Sequence, residues 1–304
     1  MGERERGEKR RERETTRTPT LPSFKVRSRP LTTPPPALSL FFSLSPPQGL
    51  LASRSYVLDG ILNGICTSDW NPATDAHLPA NYTAATMATG KVACKAALQA
   101  ELGLPVNPAA PLLGFIGRLD YQKGADLVLA VAPWLLDTFP DAQLVCLGTG
   151  DPDLEAGLRW LEAAHPDRAR AWVGFNVPFS HRLTAAADLL LMPSRFEPCG
   201  LNQLYAMAYG TVPVAHATGG LRDTVLCYDP ADEAGSTGWT FGPGCTADGL
   251  KTALTHALTT YAEYPAAFAG LQARGMARDS TWDGAAANYE QVFAWSKTDP
   301  PYAK

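Results

Sequence analysis

Three stretches of the chain set charged side chains and glycines at spacings suited to phosphate and sugar chemistry. The first, Gly117-Arg118-Leu119-Asp120-Tyr121-Gln122-Lys123-Gly124, puts a planar guanidinium and a compact ammonium five residues apart, just past an apolar run. Held together at a pyrophosphate, they would neutralise its charge and stabilise a nucleoside diphosphate as a leaving group. Standing alone, the same two residues would read as a solvated basic turn. The second, Ser194-Arg195-Phe196-Glu197-Pro198-Cys199-Gly200-Leu201-Asn202-Gln203-Leu204, has a glycine where a helix begins. That glycine lets backbone N–H groups approach an anion, and the helix N-terminus adds about half a positive charge. Glu197, just upstream, would face sugar hydroxyls, because a carboxylate beside a diphosphate is repelled unless something separates them. The plainer alternative is a helix N-terminal carboxylate stabilised by the dipole. The third, Thr218-Gly219-Gly220-Leu221-Arg222-Asp223-Thr224-Val225, sets Gly219 and Gly220 before another helical stretch. Alone this is a tight turn; in the company of the other two it is a second helix N-terminus aimed at the same crevice.

Loops of this kind need a scaffold, and the apolar pattern supplies one. Leu112-Leu113-Gly114-Phe115-Ile116-Gly117 reads as a buried strand closed by a glycine. Val128, Leu129, Ala132, Leu135 and Leu136 then recur at helical spacing, and Pro140 closes that segment. Residues 142–147 read as the next strand, ending in Gly148-Thr149-Gly150, and Leu154, Leu158 and Leu161 mark the next helix. Strands over 171–173, 188–192 and 211–215 follow, with helices over 179–187 and 201–209 between them. This alternation predicts an α/β, Rossmann-like domain with a parallel sheet and helices on both faces. Ligands of such sheets sit beyond the carboxyl ends of the strands, where all three loops fall.

Composition narrows the function classes. The first thirty residues hold ten basic and five acidic side chains, so the other 274 carry 16 basic against 25 acidic. An acidic body without aromatic residues interleaved in its basic head argues against nucleic-acid binding. Six scattered cysteines form no Cys-x-x-Cys pair and have no histidine at zinc spacing, which fits a reducing compartment and no metal site. No apolar run approaches the roughly 20 residues of a membrane span. His77, His165, His181, His216 and His256 read as structural or exposed. Residues 1–50, charged and then rich in Thr, Pro and Ser, are read as a disordered low-complexity extension. Glu3, Glu5, Glu8, Glu12 and Glu14 argue against an ordinary transit peptide, and a gene-model artefact is the alternative. Residues 51–280 form the predicted nucleotide-sugar-binding domain and 281–304 a C-terminal helix and tail.

The three loops, in order, together with Leu58-Asp59-Gly60-Ile61-Leu62-Asn63-Gly64-Ile65, Trp70-Asn71-Pro72-Ala73-Thr74-Asp75 and Phe179-Ser180-His181-Arg182, resemble the bacterial glycogen synthases and plant starch synthases over residues 57–295. The resemblance implies the C-terminal half of a two-domain GT-B glycosyltransferase. It implies transfer of glucose from ADP-glucose or UDP-glucose to the non-reducing end of an α-1,4-glucan with retention, and no cofactor. By position, Arg118 and Lys123 would contact the diphosphate, Gly200 to Asn202 its distal phosphate, and Glu197 the glucose hydroxyls. Phe175 falls where the family commonly has a tyrosine stacked on the base, and Asn63, Gly117, Cys199, Gly219 and Gly220 complete the binding set. Related transferases have a second glutamate eight residues after the first; here that position is Tyr205. This favours the glycogen and starch branch and front-face attack assisted by the leaving phosphate over a two-carboxylate double displacement.

One departure is larger. The family's N-terminal domain, with its Lys-x-Gly-Gly-Leu loop, has no counterpart before residue 57. The expectation is therefore a chain of weak or no activity alone, or a non-catalytic sugar-nucleotide or glucan-binding module that partners another synthase. The stripe Trp282, Ala285, Ala286, Tyr289 and Phe293 would cross to that domain in the family; here it is either exposed or packed on its own domain. Location in a plastid is implied for a plant or alga, and in the cytoplasm otherwise.

Overall fold

In the computed structural model of the chain, the described residues are Ser53, 59–231 and 234–298. Internal contacts divide the chain into residues 1–59 and 60–304, and the elements below belong to the second unit. The expected extension over 1–50, and the boundary at 50/51, lie outside the described residues.

Six strands build one sheet: β1 (Leu112–Ile116), β2 (Gln143–Gly148), β3 (Ala169–Val173), β4 (Leu189–Met192), β5 (Val212–His216) and β6 (Trp239–Phe241). Their order is β3-β2-β1-β4-β5-β6, and every pairing is parallel. Strands covered on both faces have no solvent side to hold polar residues, so β2, β4 and β5 are buried along their whole length and read as continuous apolar runs.

The covering helices are α1 (Met87–Glu101), α2 (Ala125–Thr138), α3 (Pro152–Ala164), α4 (Val177–Ala186), α5 (Asn202–Ala208), α6 (Gly219–Thr224), α7 (Ala247–Glu263), α8 (Pro265–Ala277) and α9 (Trp282–Thr298). Alternate residues of β1 serve opposite faces. Leu113 and Phe115 join Val128, Leu135, Leu158 and Leu254 in one cluster, while Leu112 joins Leu98, Phe179 and Leu183 in another. Side-chain caps fix where three helices start. Asp151 accepts from the amides of Asp153 and Leu154 ahead of α3, Asn176 from Phe179 ahead of α4, and Thr246 from Gly249 ahead of α7.

The strands and helices expected from periodicity over 112–215 are all present within two residues, apart from the start of α2 and the end of α3, two segments read from isolated apolar positions. Four elements had no counterpart in that reading: α1, β6, α7 and α8. Of the C-terminal stripe on α9 only Ala285 is buried, and Trp282, Tyr289 and Phe293 are exposed. The alternative in which the stripe packs on its own domain is thereby set aside. Among the described residues no helix is long and apolar enough to cross a membrane.

Candidate functional site

The strand order reverses between β1 and β4, where chain connections run outward on opposite sides and leave a crevice at the carboxyl ends. The loops 117–124 and 193–203 meet there. Gly124 starts α2 with a left-handed φ of 72°, and a Cβ on it would sit 2.0 Å from the Pro193 carbonyl oxygen, so only glycine lets the loops come this close. The amide of Arg195 donates to the Gln122 carbonyl at 2.8 Å, and the Gln122 side-chain amide donates to the Phe196 carbonyl at 3.0 Å. The Arg195 guanidinium forks onto Asp126 at 2.7 and 2.8 Å while lying 3.6 Å from the Tyr121 ring centre. That bidentate pair, unmarked in the sequence reading, locks the two loops into one rigid wall.

Lys123 and Glu197 come from these two loops and form an ion pair, which the Ser194 hydroxyl completes by donating to the same carboxylate at 3.2 Å. Glu197 is buried and the Lys123 side chain retains only 26% exposure. Arg118 is placed differently. Its guanidinium reaches Asp120 at 3.0 Å and Gln122 at 3.2 Å, and its side chain is 66% exposed. The two cations are thus held by separate carboxylates instead of sharing one anion site.

A cavity of about 470 Å³ opens beside this wall. Gly117 and Arg118 line its β1 edge, Phe175 its β3 edge, and Asn202 and Tyr205 the α5 side, with Trp70 closing it from the irregular segment before α1. Phe175 is 88% exposed, its ring free to cover a ligand. Asn202 ties α5 to the sheet through its side-chain amide, which donates to the Ile116 carbonyl at 2.9 Å. Gly200 has φ of 68°, a conformation that costs little only for glycine, and it turns the chain into α5. The amides of Gly200, Leu201 and Asn202 precede the helical hydrogen-bond ladder and have no backbone acceptor among the described residues. The exposed Cys199 sits at the head of this turn.

Of the expected site positions, Gly117, Arg118, Phe175 and Asn202 line the cavity, while Lys123, Glu197, Cys199, Gly200, Leu201, Gly219, Gly220 and Asn63 lie outside its lining. A Cβ on Gly219 would lie 2.1 Å from the Glu197 carbonyl oxygen, and one on Gly220 would lie 1.8 Å from that of Cys199. The Gly220 amide donates to the Glu197 carbonyl at 3.0 Å. The paired glycines therefore let α6 press against the 197–199 turn from behind, and they do not line the cavity. Asn63 is carried by a segment that runs against 280–282, where the Ile65 amide donates to the Ser280 carbonyl at 2.8 Å, and it is also outside the cavity lining.

Sequence reasoning missed Trp70, Tyr205 and His181 as parts of one structure. The Trp70 ring stacks at 3.8 Å on His181 and at 3.9 Å on Tyr205. Behind them Asp75 is buried, receiving the Tyr209 hydroxyl at 2.6 Å and sharing a 2.7 Å hydrogen bond with His181 Nδ1. Burial alone would push the Asp75 carboxyl up. The Tyr209 hydroxyl, the His77 amide and His181 outweigh it and hold the carboxyl below its ordinary value. The signals for this cluster in the sequence were that Trp70–Asp75 and His181 fall in stretches that carry the family resemblance and that Tyr205 stands where related transferases have a second glutamate.

The chain also matches known proteins in sequence and in fold. The family model for glycosyl transferases group 1 matches residues 103–269. Soluble starch synthase 1, chloroplastic/amyloplastic, of Solanum tuberosum is 54% identical over 258 residues, covering 84% of this chain and 40% of the relative. Starch synthase 1 of Arabidopsis thaliana is 55% identical over 258 residues, covering 84% of this chain and 39% of the relative. The chain thus spans about two fifths of the length of these curated relatives. Among solved structures, the catalytic domain of starch synthase IV from Arabidopsis thaliana, bound to ADP and acarbose, superposes with a TM-score of 0.74 at 35% identity, covering 83% of this chain and 51% of that one. The sheet and its helices form a Rossmann-like domain of the GT-B glycosyltransferase architecture, and the chain belongs to the group 1 glycosyl transferases.

Proposed function

We propose that the crevice binds the diphosphate of ADP-glucose, with UDP-glucose as a possible second donor, and serves transfer of glucose to the non-reducing end of an α-1,4-glucan with retention of configuration. The observation that carries this reading is that the loops at the β1/β4 switch point carry both Arg118, which lines a cavity of nucleotide size, and the Lys123–Glu197 ion pair. The starch synthase IV relative was solved with ADP and acarbose, which supports the same ligand classes here.

In this reading Phe175 covers the base, Arg118 and Lys123 take the diphosphate oxygens, and the amides of Gly200 to Asn202 meet the distal phosphate. The Lys123–Glu197 pair explains how a carboxylate tolerates a neighbouring diphosphate. The ammonium stands between the two anions, so Glu197 accepts glucose hydroxyls while Lys123 stabilises charge developing on the leaving phosphate. Asp120 and Glu197 keep the cations placed before the donor arrives, so little reorganisation is needed on binding.

Transfer also requires a second wall to orient the acceptor, and a single wall forfeits several kcal/mol of positioning, on the order of the orientation effects known for bound reactants. Residues 60–304 supply one such wall, and donor binding with little turnover is the outcome expected when they are assayed alone. A second reading, a non-catalytic module that partners a full-length synthase, draws on the exposed Trp282, Tyr289, Phe293 and Trp295 of α9. The relatives' chloroplastic/amyloplastic names support a plastid location if the source is a plant or alga. Glucose transfer from ADP-glucose onto glycogen, measured with the purified chain, tests the account. Trace turnover together with measurable ADP binding is expected, and rapid turnover would contradict the need for a second wall.

A further inference from the structure

Trp70 belongs to an irregular segment that no helix or strand holds in place, yet it forms part of the cavity wall. Its position is fixed from both sides. His181 lies 3.8 Å from its ring at an interplanar angle of 16°, and Tyr205 lies 3.9 Å away at 10°. Two rings that close, both nearly parallel to the indole, fit only on opposite faces. His181 is buried and its Nδ1 is engaged by Asp75, whose other oxygen accepts the His77 amide at 2.8 Å. Asp75 is anchored in turn by the Tyr209 hydroxyl. The Asn71 carbonyl accepts the Asp75 amide at 2.9 Å, and the Asn81 side-chain amide donates to the Asp75 carbonyl at 2.8 Å, so the turn carrying Trp70 and Asp75 is braced from within. The outermost ring, Tyr205, is half-buried and faces the cavity, and its hydroxyl has no protein hydrogen-bond partner among the described residues.

We propose that Trp70 is a positioning residue for the nucleoside end of the donor: clamped through His181 and Asp75, it holds the Tyr205 ring at the cavity wall and so sets the width of the pocket. This rests on the donor-binding reading above. Trp70 and Tyr205 share the cavity lining with Phe175, whose ring is assigned to the base, whereas Lys123 and Glu197, assigned to the diphosphate and the sugar, lie outside that lining. Loss of the stack should therefore weaken a nucleotide and spare a bare diphosphate. A side chain that merely stabilised the fold would affect both alike.

Calorimetric titration of Trp70→Leu, Tyr205→Leu, the double variant and Trp70→Phe with ADP and with inorganic pyrophosphate makes the distinction. Trp70→Leu and Tyr205→Leu are each expected to weaken ADP about tenfold, on the order of one lost aromatic stack, and to leave pyrophosphate within about twofold. The double variant should bind no more weakly than the worse single one, because both break the same stack, and Trp70→Phe should restore most of the affinity. Equal losses for both ligands, additive losses, or a Leu variant that binds as well as the Phe variant would overturn the inference. If Trp70→Leu lacks a cooperative melting transition, Tyr205→Leu decides: unchanged ADP affinity there overturns it. Absence of ADP binding by the unaltered chain would defeat the donor-binding reading alone. A crystal structure of Trp70→Phe or Trp70→Leu then settles the clamp separately, since a Tyr205 ring left in place in the leucine variant contradicts it.

Discussion

Two pairs of basic side chains in this domain have opposite fates. Lys91 and Lys95, one helical turn apart on α1, are both buried. Lys91 donates to the carbonyls of Ala185 and Ala187 at 2.8 Å and to the Thr211 hydroxyl at 2.7 Å, capping the end of α4. Lys95 pairs with Asp188 at 2.6 Å and also meets the Pro108 and Ala110 carbonyls and the Tyr261 hydroxyl, each at 3.1 Å. Arg118 and Lys123 at the crevice instead hold one carboxylate each and keep part of their surface in water. Cations surrounded by main-chain acceptors have no capacity left for a ligand. Cations that hold a single carboxylate and keep part of their surface in water are placed but not saturated, whereas Lys95, also paired with a carboxylate, is buried and ringed by three further acceptors.

Substitutions should expose the contrast. Lys95→Met is expected to have the largest effect on stability, about 3–5 kcal/mol, because it strands the buried Asp188 charge. Thermal melting reads this, and the fraction that remains folded should bind ADP normally. Lys123→Ala should weaken ADP in calorimetry by about 10- to 100-fold through loss of charge-assisted hydrogen bonds, and should lower the melting temperature less than Lys95→Met does, because Glu197 is left buried without its ammonium but keeps the Ser194 hydroxyl and lies beside a side-chain position that water reaches. A large stability loss without an affinity loss would group Lys123 with the buried lysines.

Asp75→Asn lies between these, at about 1–3 kcal/mol for a buried hydrogen-bonded group. Its pH dependence has a definite sign. Because the folded carboxyl is held below its ordinary 3.8, its contribution is fully present above that value and is lost as pH falls through the lower folded value. The melting-temperature gap between the parent chain and Asp75→Asn should therefore narrow in acid below pH 3.8. Arg118→Ala should be the mildest, weakening ADP by about threefold at low salt and less at high salt, as befits an exposed and screened charge.

Much of this contrast could be read from the sequence on one side only. The strands β1, β2, β4 and β5 are legible because burial on both faces leaves them uninterrupted apolar runs, and the loops that follow them announce Arg118, Lys123 and Glu197 by type and spacing. Helix α1 is not legible, since its inward face carries Lys91, Lys95 and Gln99, whose acceptors lie far along the chain. Strand β6, three residues long, gives too little pattern to detect. Gly219 and Gly220 are visible as a motif, but the reason for them, contact with the carbonyls of Glu197 and Cys199, is a tertiary one. The same holds for Trp70, His181 and Tyr205, which only the packing of α4 against α5 brings into one stack.

The central question is whether the β1/β4 crevice takes a nucleoside diphosphate. Titrating ADP into the folded chain by calorimetry asks it most directly, with pyrophosphate as competitor. The structure predicts a saturable heat with one site per chain that excess pyrophosphate suppresses and Lys123→Ala abolishes or greatly reduces. A folded sample that gives no heat at millimolar ADP, or a heat unchanged in Lys123→Ala, would contradict the assignment.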